Sequence, residues 1–235
     1  MLRRLAVSIV LSGLLLLAWG AAGAATPQRA AFRVTLTGTL TKDWTLTRTV
    51  EDADCNQLTI TEGHWRLGLA TRRASRIVIL GPARRGGPLR ISPGLVRSIA
   101  GTATQTGVVR MQNVGPRCVR IVQRRNCAPQ RRTFRGGIAR ITSPAAGKAR
   151  FGRLQRAAAA RSFLRVCPEE PADIRAIRTD LSLADAPLSA ADAFDRGVPR
   201  FFIGGDSTQV TTIEGEYAGR VTERVRWTLN FTRLR

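Results

Sequence analysis

A strict alternation of apolar and polar side chains near the start of the sequence constrains the fold more than any other feature. In residues 32–40, apolar residues or glycine occupy every even position from Phe32 to Leu40, and Thr or Arg occupies every odd position. Successive side chains of a β-strand point to opposite faces, so the pattern predicts a strand with one buried face. Residues 225–232 alternate in the same way, which predicts that the sheet contains amphipathic strands from both ends of the sequence.

The same phase returns in residues 44–50 after the polar pair Lys42 and Asp43. A polar pair between two alternating segments is typical of a turn, so residues 32–40 and 44–50 are predicted to form a hairpin. The inward phase also contains Trp44, Trp65 and Trp227, which are predicted to pack in the core rather than to line a sugar-binding surface.

Short β-like segments separated by Gly, Pro and Arg fill the middle of the sequence. Their spacing of roughly ten residues favours a sandwich or barrel over βαβ units. A Ser, an acidic residue and a Gly in residues 189–197 predict one short helix. We therefore predict one all-β domain over residues 26–235, either a two-sheet antiparallel sandwich or a partly closed barrel. The predicted strands are residues 65–69, 76–80, 89–91, 107–111, 118–123, 137–141, 163–167, 201–203 and 209–217.

Residues 1–25 have the three-part layout of a secretory signal peptide. Arg3 and Arg4 precede an uncharged, Leu-rich run, and small residues close it up to Ala24 and Ala25. This layout predicts Sec-type export, cleavage after Ala24 or Ala25, and a secreted or extracytoplasmic envelope location. The run is also long enough to stay uncleaved as a membrane anchor, although its Gly and Ala residues favour cleavage. After cleavage, no transmembrane segment is expected in the rest of the chain.

The four cysteines predict two disulfides, because an even number in an exported chain is typical of oxidised pairs. Three pairings are open. One closes a short loop between residues 118 and 127, and another closes two intermediate loops that contribute about 4 kcal/mol each. The second pairing is slightly favoured, because residues 127 and 167 each end an apolar segment and are soon followed by Pro. The cysteines are Cys55, Cys118, Cys127 and Cys167.

The sequence has a formal net charge of +22, and its 38 basic residues include only two lysines, Lys42 and Lys148. Residues 63–168 contain no Asp or Glu. GC-rich genes favour Arg codons over Lys codons, so one interpretation is that the arginines form a solvated surface without a specific partner. The missing acids instead favour an anionic partner, such as a wall polymer or acidic lipid headgroups. The densest candidate basic patch contains Arg117, Arg120, Arg124, Arg125, Arg131, Arg132 and Arg135.

Candidate catalytic residues are few. His64 is the single histidine, and Glu214 and Glu216 are two apart, which predicts a shared strand face opposite Arg224 and Arg226. The acidic residues 51–54 could hold calcium, although an acidic turn is the more common reason for such a group. We therefore expect no catalytic residue, metal or cofactor, and no specific nucleic-acid site, because aromatic stacking platforms are missing.

These observations predict an exported, non-enzymatic protein whose arginine-rich surface contacts anionic material of the cell envelope. A secreted hydrolase that uses carboxylates and a purely structural envelope domain are the alternatives. The ligand and the oligomeric state are not readable from the residues.

Overall fold

The computed structural model describes residues 28–51, 55–84, 86–119, 121–152, 154–156, 167 and 184–235. The predicted leader lies outside the described residues, as do Arg120, residues 163–166 and the middle of the acidic group 51–54. The elements are β1 (Arg29–Val50), β2 (Asn56–Thr71), β3 (Ser75–Leu80), β4 (Arg90–Ser92), β5 (Leu95–Val114), β6 (Val122–Thr142), β7 (Lys148–Phe151), β8 (Asp185–Pro187), α1 (Ala190–Phe194), β9 (Arg200–Ile213) and β10 (Ala218–Arg233).

The ten strands are joined by antiparallel pairing into one sheet, which confirms the all-β prediction. The order is β4-β3-β1-β2-β5-β6-β7-β8, and β10 pairs with the other edge of β1 and carries β9 beyond it. The first part of β1 pairs with β3 and the rest with β2, while β10 follows residues 32–47 on the opposite edge. Because β8 lies against β9, the sheet curls around its inner face. The predicted division into two sheets is not confirmed.

The predicted hairpin at Lys42 and Asp43 is wrong, because β1 runs without interruption from Arg29 to Val50. The alternation never changes phase across this pair, so Lys42 points inward and is fully buried. Glu223 lies directly opposite on β10 and forms an ion pair with Lys42. The ammonium group therefore has a partner inside the sheet, and no turn is needed to expose it to water.

The core lies on the inner face of the curled sheet and is built from the alternating positions that the sequence indicates. Trp44, Trp65 and Trp227 are all buried, as predicted. At the other end of the core, Phe201 stacks on Phe231 with ring centroids 4.6 Å apart. This largely apolar face explains why both terminal strands alternate so regularly.

Several local predictions meet different outcomes. The short helix is confirmed, because Ser189 accepts a hydrogen bond from the backbone N–H of Ala191 at the start of α1. The segment 209–217 is a strand only to Ile213, so Glu216 lies in the turn before β10 and pairs with Arg48 at 2.5 Å. The predicted match between these acids and Arg224 or Arg226 is therefore wrong.

The described residues contain no helix long and apolar enough to cross a membrane.

The two predicted disulfides are present, in the pairing that the sequence slightly favours. Cys55 bonds to Cys118 and Cys127 to Cys167, with Cα atoms 5.2 Å and 5.4 Å apart. The first ties the β1–β2 end of the sheet to the β5–β6 connection, and the second holds residue 167 against β6. Such bonds are typical of proteins that work outside the reducing cytosol.

Replacing Gly63 with Val is expected to lower the free energy of unfolding by about 2 kcal/mol, the usual effect of overpacking. Gly63 lies directly opposite Trp44, and the indole occupies the space that a Cβ would take. Urea titration would measure the change. The matched control is Gly68→Val on the same strand, whose Cβ would meet no atom within 4 Å. Equal stability of the two variants would contradict the packing of Trp44 on Gly63.

Candidate functional site: an arginine–threonine face

The outer face of the sheet carries arginines in a row that crosses five strands. Reading across the ladder pairs, Arg224 of β10 is followed by Thr41 of β1, Arg66 of β2, Thr104 of β5 and Arg131 of β6. Neighbouring strands lie about 4.8 Å apart, so successive arginines of the row are about 10 Å apart. We call the outer face of β9, β10, β1, β2, β5 and β6 the arginine–threonine face.

A shallow groove of about 710 Å³ runs beside this row. Its lining extends from β10 across β1, β2 and β5 to β6, so the groove crosses the strands rather than following one of them. Gly68, Ala70 and Ala100 contribute to it, and the small side chains leave the space open. Arg72, Arg135 and Arg226 also line the groove, and its hydroxyl groups come from Thr37, Thr39, Thr102, Thr133 and Thr228.

The acidic residues of this face are already engaged. Asp206 pairs with Arg226 at 2.7 Å, and Glu62 pairs with Arg110 at 3.2 Å. In contrast, the exposed side chains of the row, Arg66, Arg131 and Arg224, form no ion pair with any residue that the structure describes. Three positive charges at regular intervals are therefore available for an external anion.

The structure divides the predicted basic patch between two faces of β6. Arg124 and Arg131 belong to the outer face, where Arg124 lies opposite Arg110. Arg125 and Arg132 pair with inward positions of β5 and so point to the other face. Of the remaining candidates, Arg135 lines the groove, Arg117 lies in the turn after β5, and Arg120 lies outside the described residues.

A second polar group is buried on the inner face, beneath the arginine row. Lys42 Nζ lies 3.4 Å from Glu223 Oε1, and the row continues through Trp65 to Gln105, all buried. Burial lowers the pKa of Lys42 to about 8, although the charge of Glu223 and its hydrogen bond oppose that shift. Lys42 has no solvent exposure, so the pair affects the stability of the fold and does not contact a ligand.

His64 lies on the outer face in a second groove of about 930 Å³. Its Nδ1 is 2.6 Å from Asp43 Oδ1, and both side chains are about half exposed. Glu62, Thr106 and Arg220 line the same groove. Within the described part of the chain, no group of three His, Cys, Asp or Glu side chains is arranged to hold a metal ion. The acidic residues proposed for calcium fall largely outside that part.

Reasoning from sequence missed the arginine row because its members are far apart in the chain. Arg66, Arg131 and Arg224 come into one row only through the pairing register of five strands. Part of this face was visible in the sequence, because every second residue of β1, β2 and β10 points outward and many of these residues are Thr or Arg.

No protein-family model matches the chain, and no curated protein matches it either. Among solved structures, one similar chain is Ail, the attachment invasion locus protein of Yersinia pestis. It is 6% identical, the alignment covers 86% of this chain and 98% of that chain, and the TM-score is 0.14. A TM-score this low supports no transfer of fold or function.

Proposed function

We propose that this protein is an exported, non-enzymatic component of the cell envelope whose arginine–threonine face binds a linear anionic polymer. The observation that carries the proposal is the row of Arg224, Arg66 and Arg131. These three arginines make no ion pair with described residues, and their backbone positions repeat at about 10 Å across the sheet. The predicted leader and the two disulfides favour a site of action outside the cytosol.

The spacing of the row favours a polymer over a small anion. A single phosphate or carboxylate can be shared by at most two of these long side chains, whereas the whole row spans about 20 Å. A linear chain lying in the groove across the strands would place successive charges beside successive arginines. The planar guanidinium donates two parallel hydrogen bonds to a carboxylate or phosphate, so either group suits the row.

The groove beside the row favours a polymer that also carries hydroxyl groups. Its threonine hydroxyls can donate and accept hydrogen bonds, and its Gly and Ala residues let a flat ring approach the backbone closely. An acidic polysaccharide of the wall has both features. Nucleic acid fits less well, because the groove offers Phe134 and the buried Trp227 rather than exposed aromatic rings for stacking.

The triple variant Arg66→Gln, Arg131→Gln and Arg224→Gln is expected to bind isolated cell wall about tenfold or more weakly than the wild type. Each exposed pair contributes roughly 0.5–1 kcal/mol, and three together account for such a factor. Retention of the mature protein on cell wall, DNA and anionic vesicles across a salt gradient would measure it. Gly68→Leu, at a position where a Cβ would meet no atom within 4 Å, places a side chain in the groove and should weaken retention on wall with the arginines intact.

The matched control is Arg76→Gln, Arg90→Gln and Arg196→Gln, which removes the same charge from exposed positions outside the arginine–threonine face. This variant should keep wild-type retention apart from a small general effect of net charge. If both triple variants lose retention equally, the arginines act as a diffuse charge and the polymer site is rejected. If the wild type leaves all three materials at low salt, the whole binding proposal fails.

The alternative hydrolase would have to use the second groove, where Asp43 and Glu62 are diagonal neighbours on adjacent strands. Diagonal side chains on one face lie roughly 7–8 Å apart, within the range that glycosidase carboxylates use. Asp43 is held by His64 and Glu62 by Arg110, so both carboxylates are engaged in exposed ion pairs. This arrangement favours the binding function over the hydrolase.

A further inference from the structure

The end of the β5–β6 hairpin carries a group of exposed aliphatic side chains, which we call the aliphatic tip: Val114, Val119, Ile121 and Val122. Val119 is 77% exposed and Val122 is 60% exposed, and Ile121 and Val114 are nearly half exposed. Single exposed apolar residues are common on protein surfaces, but a contiguous group of them marks an interaction site.

The fold holds the aliphatic tip away from the core. Val114 pairs with Asn56 at the end of β2, and the backbone N–H of Asn113 donates to the carbonyl of Ile121 at 3.2 Å. The disulfide between Cys55 and Cys118 fastens the connection to the β1–β2 end of the sheet. The aliphatic side chains therefore stay at the end of the molecule, where an external surface can reach them.

Arginines surround the aliphatic tip. Arg117 lies in the turn beside it, and Arg124 and Arg125 follow Val122 on β6. Because successive side chains of a strand alternate, Arg124 and Arg125 point to opposite faces, and positive charge flanks the tip on both sides. An apolar end with a basic collar matches the boundary of an anionic bilayer, where hydrocarbon lies beneath phosphate groups.

We propose that the aliphatic tip inserts into the headgroup region of an anionic membrane, with the flanking arginines on lipid phosphates. A second copy of this chain is a poorer occupant, because a tip-to-tip contact would bring two basic collars together. The arginine row and its groove lie farther along β6, toward Thr133. From Val122 to Thr133 along β6 the distance is roughly 35 Å at about 3.3 Å per residue, so one molecule can contact a membrane and a polymer simultaneously.

The test uses sedimentation of the mature protein with vesicles of phosphatidylglycerol and phosphatidylcholine in equal parts, and with phosphatidylcholine alone. Wild type is expected to sediment with the mixed vesicles and to keep part of that binding at high salt, because apolar insertion is not screened. Val119→Ser, Ile121→Ser and Val122→Ser together should weaken binding to the mixed vesicles about tenfold or more. Phe202→Ser with Val210→Ser, two exposed apolar residues of β9, is the matched control and should bind like wild type.

Retention on cell wall separates this inference from the proposed function, since the tip variant should keep wild-type retention there. Circular dichroism and thermal unfolding verify that each variant is folded, and Val119→Ser alone serves if the triple variant is not. The inference is overturned if the wild type does not sediment with the mixed vesicles. It is also overturned if high salt releases the wild type completely and the tip variant binds the mixed vesicles as strongly as the wild type. A concentration-dependent dimer that the tip variant abolishes, without vesicle binding, would assign the tip to self-association instead.

Discussion

Replacing Lys42 with Met is expected to lower the free energy of unfolding by about 3 kcal/mol near neutral pH. The change leaves Glu223, 7% exposed, without the ammonium group that lies 3.4 Å from it. Removing one partner of a buried ion pair is more destabilising than removing both, because an uncompensated charge remains in a region of low dielectric constant. Equilibrium unfolding in urea would measure the effect.

Two further variants complete a double-mutant cycle. Glu223→Leu alone should destabilise by a similar amount, because it strands the ammonium group of Lys42. Lys42→Met together with Glu223→Leu should return to within about 1 kcal/mol of wild type or exceed it, as well-packed apolar replacements of buried ion pairs often do. Additive losses in the double variant would show that the two side chains do not interact, contrary to their geometry.

Raising the pH from about 8 to about 10.5 is expected to stabilise the protein by up to roughly 3 kcal/mol. The pKa of Lys42 is lowered from 10.5 to about 8 in the folded state by burial. In this window the unfolded chain therefore binds a proton that the folded protein has released. The free energy of unfolding rises with pH wherever the unfolded state binds more protons. Urea midpoints across this pH range would show the increase.

The composition leaves few other side chains that could contribute to this pH dependence. The sequence contains two lysines and one tyrosine, and its arginines stay charged throughout the window. Lys148, the second lysine, is exposed. The variant Lys42→Met should lose the increase. A rise of the same size in that variant would assign the effect to another group.

The terminal strands could be predicted from sequence because their inner face is apolar apart from the pair Lys42 and Glu223. In β1 every even position from Phe32 to Leu46 except Gly38 is buried, and this same regularity shows why the predicted hairpin was wrong. A polar pair within a strand looks like a turn when its partner is far away in sequence. The alternation places Lys42 on the inner face, whereas its polarity suggests exposure. Only the alternation predicts the position correctly, because the partner Glu223 lies on the distant strand β10.

The candidate site was less accessible to sequence reasoning. Clustering along the chain indicated residues 117–135, yet strand alternation sends Arg124 and Arg125 to opposite faces. The row at Arg66, Arg131 and Arg224 depends on the register of every intervening strand. A slip of one residue in any of those strands would move its arginine to the other face, and no local pattern specifies so many registers at once.

The position of β1 between β10 and the pair β2 and β3 also has a kinetic consequence. The strand next to it on one side is the last to emerge during synthesis, so long loops must close before the shared ladder can form. Loop closure of this length opposes folding entropically, and proteins dominated by such distant pairings fold slowly. The ladder between β1 and β10 cannot form until β10 has been synthesised, so the sheet stays open on that side of β1 until then.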